Sequence, residues 1–497
     1  METTLQNEAK PPATAAQSAL FSLSERLCSL IALFGTMAIL GRLLTPEDFG
    51  LFAIVASVQA LFLPLLDLGL MPAFVKIPDV DEITSNVFFT LNLYCGVVNA
   101  LLLLAVSPIL WLIYGDLVLV PLCFVFLAAV IVESLSKQRL AIATRNRRFD
   151  LMMTANLAGL LTASAVAIAL AYADWGVWSL AIRVIIRALI LYLAYRLLVP
   201  RRFRVAGLSE IRQFRREIRF AASIVVGRLM GGVYQSMDKL FFGAIFGNMQ
   251  LGLYSKASQL DAMPDNTIRA ALSTPAYSHI VRHGDEERLA RYLPLSNILF
   301  LVAGTPCLLL IVIGDQLIVL LMGPQWSSAG IYVQLLGLWG IGQIMHGIGA
   351  VVHMADGEMR SWIRAHVLAT VLLACLACLA GWAWGAIGFV LGIGCANLVF
   401  WTYVLLRWLY GCAGSIQACL ALARTIAISF LAVLSTGFLV RAQLDNVAWP
   451  AVWISQVVSV GAVAAFGCLA MLLLHRIFNR RQFDDLFRLV RSHLGYC

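Results

Sequence analysis

Long apolar stretches alternate with short polar breaks along almost the whole chain. Fourteen of these stretches are long enough to cross a membrane, because a transmembrane helix needs about 20 mostly apolar residues. The pattern predicts an all-α, polytopic membrane protein with about 14 transmembrane helices. The predicted spans are 19–41, 50–73, 87–110, 117–134, 152–172, 175–195, 220–245, 250–275, 293–315, 328–354, 362–381, 384–406, 422–441 and 449–474.

Composition agrees with a membrane environment. Of the 497 residues, 61% are hydrophobic and only 13% are charged, and the mean hydropathy is +0.86. Soluble domains carry about 25% charged residues. The formal net charge of +9 comes mostly from basic loops between spans, so it does not indicate nucleic-acid binding.

The distribution of Lys and Arg in the breaks predicts an orientation. Breaks after even-numbered spans are basic, whereas breaks after odd-numbered spans contain only Arg42 and Arg441. Because cytoplasmic loops are enriched in Lys and Arg, both termini are predicted to be cytoplasmic. The basic residues that follow spans four, six, eight and ten include Lys137, Arg139, Arg145, Arg147, Arg148, Arg201, Arg202, Arg204, Arg212, Arg215, Arg216, Arg219, Arg282, Arg288, Arg291, Arg360 and Arg364.

A short internal repeat predicts two halves. Residues 41–52 and 243–254 share the pattern G-x8-G-L-aromatic, and each precedes the second span of a half. Parallel repeats are a recurrent transporter architecture. The predicted parts are a disordered cytosolic tail at 1–18, a six-helix half at 19–195, a basic cytoplasmic linker at 196–219, a second six-helix half at 220–406, two additional transmembrane helices at 422–474, and a basic amphipathic cytoplasmic tail at 475–497.

Ionisable residues inside the predicted spans are candidates for function, because each costs roughly 2.5–3.5 kcal/mol to insert. Basic residues outnumber acidic ones, which predicts a positive cavity and an anionic cargo such as a phosphate or pyrophosphate. The basic residues are Arg26, Arg183, Arg187, Arg228, Lys239, Lys256 and Arg269, and the acidic ones are Glu25, Asp67, Glu133, Asp238 and Asp261.

Span seven carries a polar stripe. Arg228, Gln235 and Lys239 stand at i, i+7 and i+11, within about 20° of one line on a helix. The stripe predicts a surface facing a wet cavity, and a structural ion pair between helices is the alternative. The candidate substrate-binding residues are Arg26, Arg228, Gln235, Lys239 and Arg269, and the candidate ion-coupling residues are Asp67, Asp238 and Asp261.

Other intramembrane polar groups have two interpretations. Glu133, Arg183 and Arg187 either belong to the cavity or lie near an interface, where they snorkel or pair locally. His346, His353 and His366 fit either a proton relay or satisfied packing groups. No phosphate-binding loop, HExxH or GxSxG motif occurs, so no catalytic site, cofactor or metal is expected.

Four segments resemble bacterial polysaccharide flippases of the Wzx type. This polysaccharide transport family belongs to the multidrug/oligosaccharidyl-lipid/polysaccharide exporter superfamily. The segments that carry the resemblance are GRLLTPEDFGLFAIV at 41–55, DLGL at 67–70, LGLYSKASQL at 251–260 and LMGPQWSSAGIYVQLL at 321–336. The last four predicted spans match that family only in hydropathy.

The resemblance implies a two-bundle fold with alternating access and ion coupling in the bacterial inner membrane. The implied cargo is an undecaprenyl-diphosphate-linked oligosaccharide for exopolysaccharide, O-antigen (lipopolysaccharide) or capsule assembly. The implied partners are membrane lipid, a polysaccharide polymerase and chain-length or export proteins. The alternatives are a cation-coupled multidrug exporter of the same superfamily and a membrane polysaccharide polymerase or ligase. Short predicted external loops leave little room for the catalytic surface that a polymerase needs.

Overall fold

The fold is all-α, as predicted. The computed structural model describes residues 15–67, 69–266, 300–355, 359–413, 416–445 and 452–478, and within these ranges every regular element is helical. The chain divides into two compact units, residues 1–252 and residues 253–497. The parts predicted from the repeat, including the six-helix halves, stay predictions.

The first unit contains eight complete helices and most of a ninth. Their bounds are α1 Ala15–Leu43, α2 Pro46–Asp67, α3 Leu70–Lys76, α4 Glu82–Tyr114, α5 Leu119–Arg145, α6 Phe149–Tyr172, α7 Val177–Leu198, α8 Leu208–Gln213 and α9 Arg215–Pro264. The backbone of α9 leaves helical geometry at Gly247, where φ is 84°, so two helices lie on either side of this residue.

In the second unit, a π-turn at Phe300–Gly304 leads into the remaining helices. Their bounds are α10 Thr305–Met322, α11 Gly330–Ala355, α12 Met359–Ala413, α13 Ile416–Asp445 and α14 Val452–Phe478, with a 3-10 turn at Pro324–Ala329. Helix α12 is broken at Trp384 and Gly385, where the φ of Gly385 is 67°.

Each predicted span overlaps a helix of the described ranges. Nine helices in the described residues are long and apolar enough to cross a membrane, so the count of 14 stays a prediction. The break between the predicted spans 220–245 and 250–275 coincides with the break in α9 at Gly247, and the break between spans 362–381 and 384–406 lies next to the break in α12 at Trp384 and Gly385. The tail beyond residue 478 lies outside the described residues.

A proline within α4 is compensated locally. Pro108 has no N–H, so the carbonyl of Leu104 loses its usual helical donor. The hydroxyl of Ser107 donates to this carbonyl at 2.9 Å. Hydrocarbon supplies no water to satisfy a freed carbonyl, and the neighbouring serine takes that role.

The segment between α7 and α8 is docked onto α4. The N–H of Arg204 donates to Asn86 Oδ1 at 3.1 Å, and the N–H of Ala206 donates to Thr90 Oγ1 at 2.8 Å. The ring of Phe203 stacks on Phe89 with centroids 5.0 Å apart. Buried side chains of α4 therefore hold part of the linker predicted at 196–219 in a fixed position.

Removing the two acceptors is expected to release this segment. The double variant Asn86→Ala, Thr90→Val leaves two backbone N–H groups without partners, at about 1–3 kcal/mol each. Limited trypsin digestion of the purified protein should therefore cut faster at Arg202. The control is Thr154→Val, whose exposed hydroxyl bonds only to its own helix. A cleavage rate equal to that of the unaltered protein would mean that α4 does not hold the segment.

The two repeat segments contact one another through their glycines. A β-carbon on Gly50 would lie 1.8 Å from the carbonyl oxygen of Asn248, and one on Gly252 would lie 1.7 Å from that of Pro46. Only glycine permits so close an approach of two backbones. The repeat noticed in the sequence therefore marks the place where the start of α2 crosses the chain after Gly247.

In the second unit, an ion pair neutralises Arg441, the basic residue in the break after predicted span thirteen. Arg441 at the end of α13 binds both carboxylate oxygens of Asp315 on α10, at 2.6 and 2.9 Å. One turn earlier on α10, Val312 and Ile313 pack with Val463 of α14 in a small apolar core. Because its charge is neutralised, Arg441 does not weaken the prediction that the breaks after even-numbered spans are the basic, cytoplasmic ones.

Candidate functional site

A cavity of about 330 Å³ lies among α2, α5 and α7 in the first unit. Four polar side chains line it: Gln59 from α2, Glu133 from α5, and Arg183 and Arg187 from α7. The remaining lining side chains are apolar. An apolar cavity with a few convergent polar groups is the usual form of a small-molecule binding site.

The two arginines stand on one face of α7. They are four residues apart, so their side chains lie one above the other. Arg187 is at the middle of the 22-residue helix, and Arg183 is one turn closer to its start. Arg183 is half-buried and Arg187 is exposed, so the cavity and the interface both stay open as interpretations of these side chains.

Neither arginine has a counter-ion in the described part of the chain. No hydrogen bond or ion pair joins Arg183 or Arg187 to another described residue, and the two guanidinium groups repel one another. The nearby acid, Glu133, is bound instead to Lys137 one turn further along α5, at 2.7 Å. Two positive charges at mid-helix thus remain uncompensated, which is costly unless an anion binds there.

Gln59 adds a neutral polar group to the same cavity. Its Oε1 is buried and has no hydrogen-bond partner within the described residues. A side-chain amide both donates and accepts hydrogen bonds, so it suits neutral polar groups of a ligand. The cavity therefore combines two guanidinium groups for an anion with one amide for neutral polar oxygens.

The polar stripe predicted on span seven is only partly described. Gln235 is exposed, and Lys239 is half-buried, with Nζ 3.3 Å from the carbonyl of Gln235. Asp238 is 8% exposed and lies 3.9 Å from the same Nζ. The nearest recorded acid to Lys239 is thus its own neighbour on α9. The assignment of Gln235 and Lys239 to cargo binding stays a prediction.

The other predicted site residues differ in how far the structure describes them. Asp261 is 2% exposed, and its carboxylate lies against Gly340 of α11 and Cys307 of α10. The backbones of Arg26, Asp67 and Arg228 are helical, but their side chains lie outside what is described, and so does the whole of Arg269. The roles predicted for these residues stay predictions.

The residues of this cavity give only a weak signal in the sequence. Arg183, Arg187 and Glu133 are identifiable there as intramembrane charges, but the sequence does not single out any of them as a cargo-binding residue. The available signal was positional, because four-residue spacing put both arginines on one face of a helix. Whether that face meets lipid or a cavity depends on α2 and α5, whose packing no local pattern specifies.

The three histidines of the second unit meet around two tryptophans. His346 and His353 of α11 approach Trp362 of α12, with ring centroids 5.2 and 4.9 Å apart. The Nε2 atoms of His346 and His366 are 2.8 Å apart. Trp401, from the second part of α12, contacts both His346 and His366. The structure thus brings together three histidines for which the sequence allowed either a proton relay or a packing role.

Comparison with known proteins supports the membrane architecture. The fold is similar to that of the lipid II flippase MurJ in an inward closed conformation, with a TM-score of 0.68 and 14% sequence identity, over 93% of this chain and 99% of that one. It is also similar to an inward-facing multidrug resistance MATE family transporter, with a TM-score of 0.60 and 14% identity, over 80% and 99% of the two chains. At this level of identity the likeness establishes the fold alone.

Sequence comparison is more specific. A family model described as "Polysaccharide biosynthesis protein" matches residues 39–330, which is more than half of the chain. The chain is 23% identical to the teichuronic acid biosynthesis protein TuaB of Bacillus subtilis (strain 168), over 67% of this chain and 69% of TuaB. It is 21% identical to the lipopolysaccharide biosynthesis protein WzxC of Escherichia coli (strain K12), over 76% of this chain and 77% of WzxC.

Proposed function

Because this chain belongs to the polysaccharide biosynthesis protein family, we propose that it flips an undecaprenyl-diphosphate-linked oligosaccharide repeat unit across the cytoplasmic membrane. It is a multi-pass membrane transporter and not an enzyme. The resemblance carried by residues 41–55, 67–70, 251–260 and 321–336 is confirmed at the level of the family, whose model matches residues 39–330. The orientation with both termini in the cytoplasm, the ion coupling and the identity of the lipid carrier belong to the proposal.

The observation that carries the proposal is the pair of uncompensated arginines in the cavity of the first unit. Arg183 and Arg187 offer two guanidinium groups to one ligand, and a guanidinium binds phosphate oxygens in a bidentate manner. A diphosphate carries charge enough to neutralise both groups. Gln59 lines the same cavity and supplies hydrogen bonds for a sugar hydroxyl.

In the proposed cycle the cavity opens to one side of the membrane at a time. The diphosphate and first sugar leave water for the cavity, while the polyprenyl chain stays in lipid. The arginines replace the hydration of the anion, which lowers the cost of bringing charge to the middle of the membrane. Arg26, Arg228, Lys239 and Arg269 are proposed to bind the anionic headgroup during other stages of the cycle. Bound ion is exchanged to reset the transporter.

The charge of the cavity separates this proposal from a multidrug exporter of cations. Two arginines against one glutamate, which is already paired with Lys137, disfavour a cationic drug. A polymerase or ligase is the less favoured alternative, because the fold is similar to that of a lipid II flippase and of a multidrug transporter.

A vesicle assay tests the function directly. Purified protein is placed in liposomes with a short polyprenyl-diphosphate oligosaccharide that carries a fluorescent sugar, and a membrane-impermeant quencher reports how much label has changed leaflet. We expect protein-dependent movement of the label and no transport of a cationic dye by the same vesicles. Dye transport without movement of the lipid-linked sugar would identify a multidrug exporter instead.

A further inference from the structure

Two imidazoles from different helices share a short contact in the second unit. His346 of α11 and His366 of α12 approach with their Nε2 atoms 2.8 Å apart. A neutral imidazole has one N–H and one bare nitrogen, so one ring donates and the other accepts. Both side chains are half-buried, so neither ring is fully enclosed by the protein.

Two indoles enclose this pair. The Trp362 ring is stacked on His346 at 5.2 Å and meets His366 edge-on at 5.1 Å. Trp401 contacts the two imidazoles at 4.6 and 5.2 Å. Both tryptophans are buried, at 7% and 1% exposure. Indole is the best aromatic partner for a cation, so the two rings would stabilise an imidazolium once a proton has bound.

The backbone makes room for this arrangement. A β-carbon on Gly349 would come within 3.1 Å of the Trp362 ring, so glycine at this position lets the indole reach both imidazoles of α11. His353 is fixed differently from the other two histidines, because its Nδ1 is 2.8 Å from the carbonyl of Gly349. His353 therefore belongs to the same cluster of rings but not to the His346–His366 pair.

Charged groups on the neighbouring elements set the electrostatic context. Asp261 faces α11 at Gly340, and Asp315 is bound to Arg441. Asp315 is thereby neutralised. The described titratable or charged residues of the second unit on α11, α12 and the elements packed against them are Tyr254, Lys256 and Asp261 of α9, Asp265 directly after α9, Cys307 and Asp315 of α10, Tyr332 and His353 of α11, Arg360, Arg364, Cys375, Cys378, Cys395, Tyr403, Arg407 and Tyr410 of α12, and Arg424 and Arg441 of α13.

We propose that the His346–His366 pair is the proton-binding site that couples a proton gradient to transport. One proton adds to a ring nitrogen, one imidazole becomes an imidazolium, and the hydrogen bond between the rings becomes charge-assisted. A second proton would set two N–H groups against each other across 2.8 Å, so the pair takes up one proton per cycle. That proton is bound from water on one side of the membrane and released to water on the other.

Coupling rests on the proposed transport function, but proton binding does not. Tryptophan fluorescence of the purified protein, titrated from about pH 8 down to about pH 3, reports proton binding without any cargo, because an imidazolium quenches a neighbouring indole more than an imidazole does. We expect a pH-dependent quench that is lost in His346→Gln and in His366→Gln. Glutamine keeps a hydrogen-bonding side chain at each position and does not titrate.

His353→Gln is the matched control, since it removes a histidine of the same cluster and leaves the short pair intact. It is expected to retain the quench. Size-exclusion profiles identify any variant that has failed to fold. If one of His346→Gln and His366→Gln fails to fold, the titration of the other one tests the site. An unchanged quench in both His346→Gln and His366→Gln, or its loss in His353→Gln alone, overturns the site.

Transport in vesicles then tests coupling. With the unaltered protein, an imposed pH gradient should accelerate movement of the labelled lipid-linked sugar. In His346→Gln and His366→Gln the gradient-driven rate should fall to the gradient-free rate, while His353→Gln still responds. A wild-type rate that is indifferent to the gradient overturns coupling and leaves the flippase function standing. If no cargo moves at all, the proposed function fails, whereas the fluorescence titration still decides the proton site.

Discussion

Replacing Arg183 and Arg187 together with glutamine is expected to abolish movement of the lipid-linked sugar while the protein still accumulates in the membrane. Hydrogen bonds to charged groups contribute about 1.5–3 kcal/mol each. Loss of both guanidinium groups therefore weakens cargo binding by roughly 100-fold or more. The measurement is the initial rate of leaflet exchange in the vesicle assay, at equal amounts of reconstituted protein.

Stability and transport should change in opposite directions in this variant. Removing two mutually repelling charges from the middle of α7 relieves the cost of keeping them in a membrane, so the melting temperature should not fall. If the arginines had a structural role instead, the melting temperature of the double variant would fall. Unfolding of the double variant, rather than a folded and inactive protein, would contradict a role in cargo binding.

The control for this experiment lies on the same helix. Arg196→Gln removes one positive charge from an exposed position near the end of α7, where the side chain is 3.5 Å from the Tyr192 hydroxyl. It should transport at nearly the wild-type rate. If Arg196→Gln is as inactive as the double variant, the effect follows from overall charge and not from the cavity.

Substituting valine for Gly50 or Gly252 is expected to remove most folded protein from the membrane. The new β-carbon would lie within 1.8 Å of a carbonyl oxygen at Gly50 and within 1.7 Å at Gly252. Overpacked cores usually cost about 1–3 kcal/mol. The cost here should exceed that range, because the obstacle is backbone and cannot turn aside as a side chain does. Fluorescence-detected size exclusion of a tagged protein measures the folded fraction.

A glycine with open surroundings provides the comparison. Gly35 lies in α1, and a β-carbon there would meet nothing within 4 Å. Gly35→Ala should leave the monodisperse peak unchanged or enlarge it, since alanine favours a helix more than glycine does. A normal peak for Gly50→Val would show that the crossing yields easily, so the close approach would not be required for folding.

The helices were predictable because the membrane imposes a length and a composition on each of them. The break at Gly247 was also visible, since a short polar turn separates two apolar stretches. The pairing of the repeat segments was not visible. The sequence shows that Gly50 and Gly252 are equivalent positions, but their contact depends on the angle at which two helices cross.

The candidate site was harder to predict than the fold. Cost of insertion marks Arg183 and Arg187 as unusual, yet it marks Arg228 and Lys239 equally. What distinguishes the first two is the cavity beside them, built by Gln59 and neighbours from other helices.

The histidine pair had a similar weakness as a sequence signal. Spacing of seven put His346 and His353 on one face of a helix, but the short contact is with His366. That residue and Trp401 come from two segments on either side of the break in α12. Only tertiary packing brings the three residues together.

The glycine crossing also bears on the ancestry of the chain. Pro46 and Asn248 correspond under the offset of 202 residues, and so do Gly50 and Gly252. Gly50 packs against the carbonyl of Asn248, four residues before Gly252. Gly252 packs against the carbonyl of Pro46, four residues before Gly50. Two identical subunits make such reciprocal contacts across a two-fold axis. Duplication and fusion of a gene for a homodimer would have carried this contact into one polypeptide, where neither member of a pair is free to change alone.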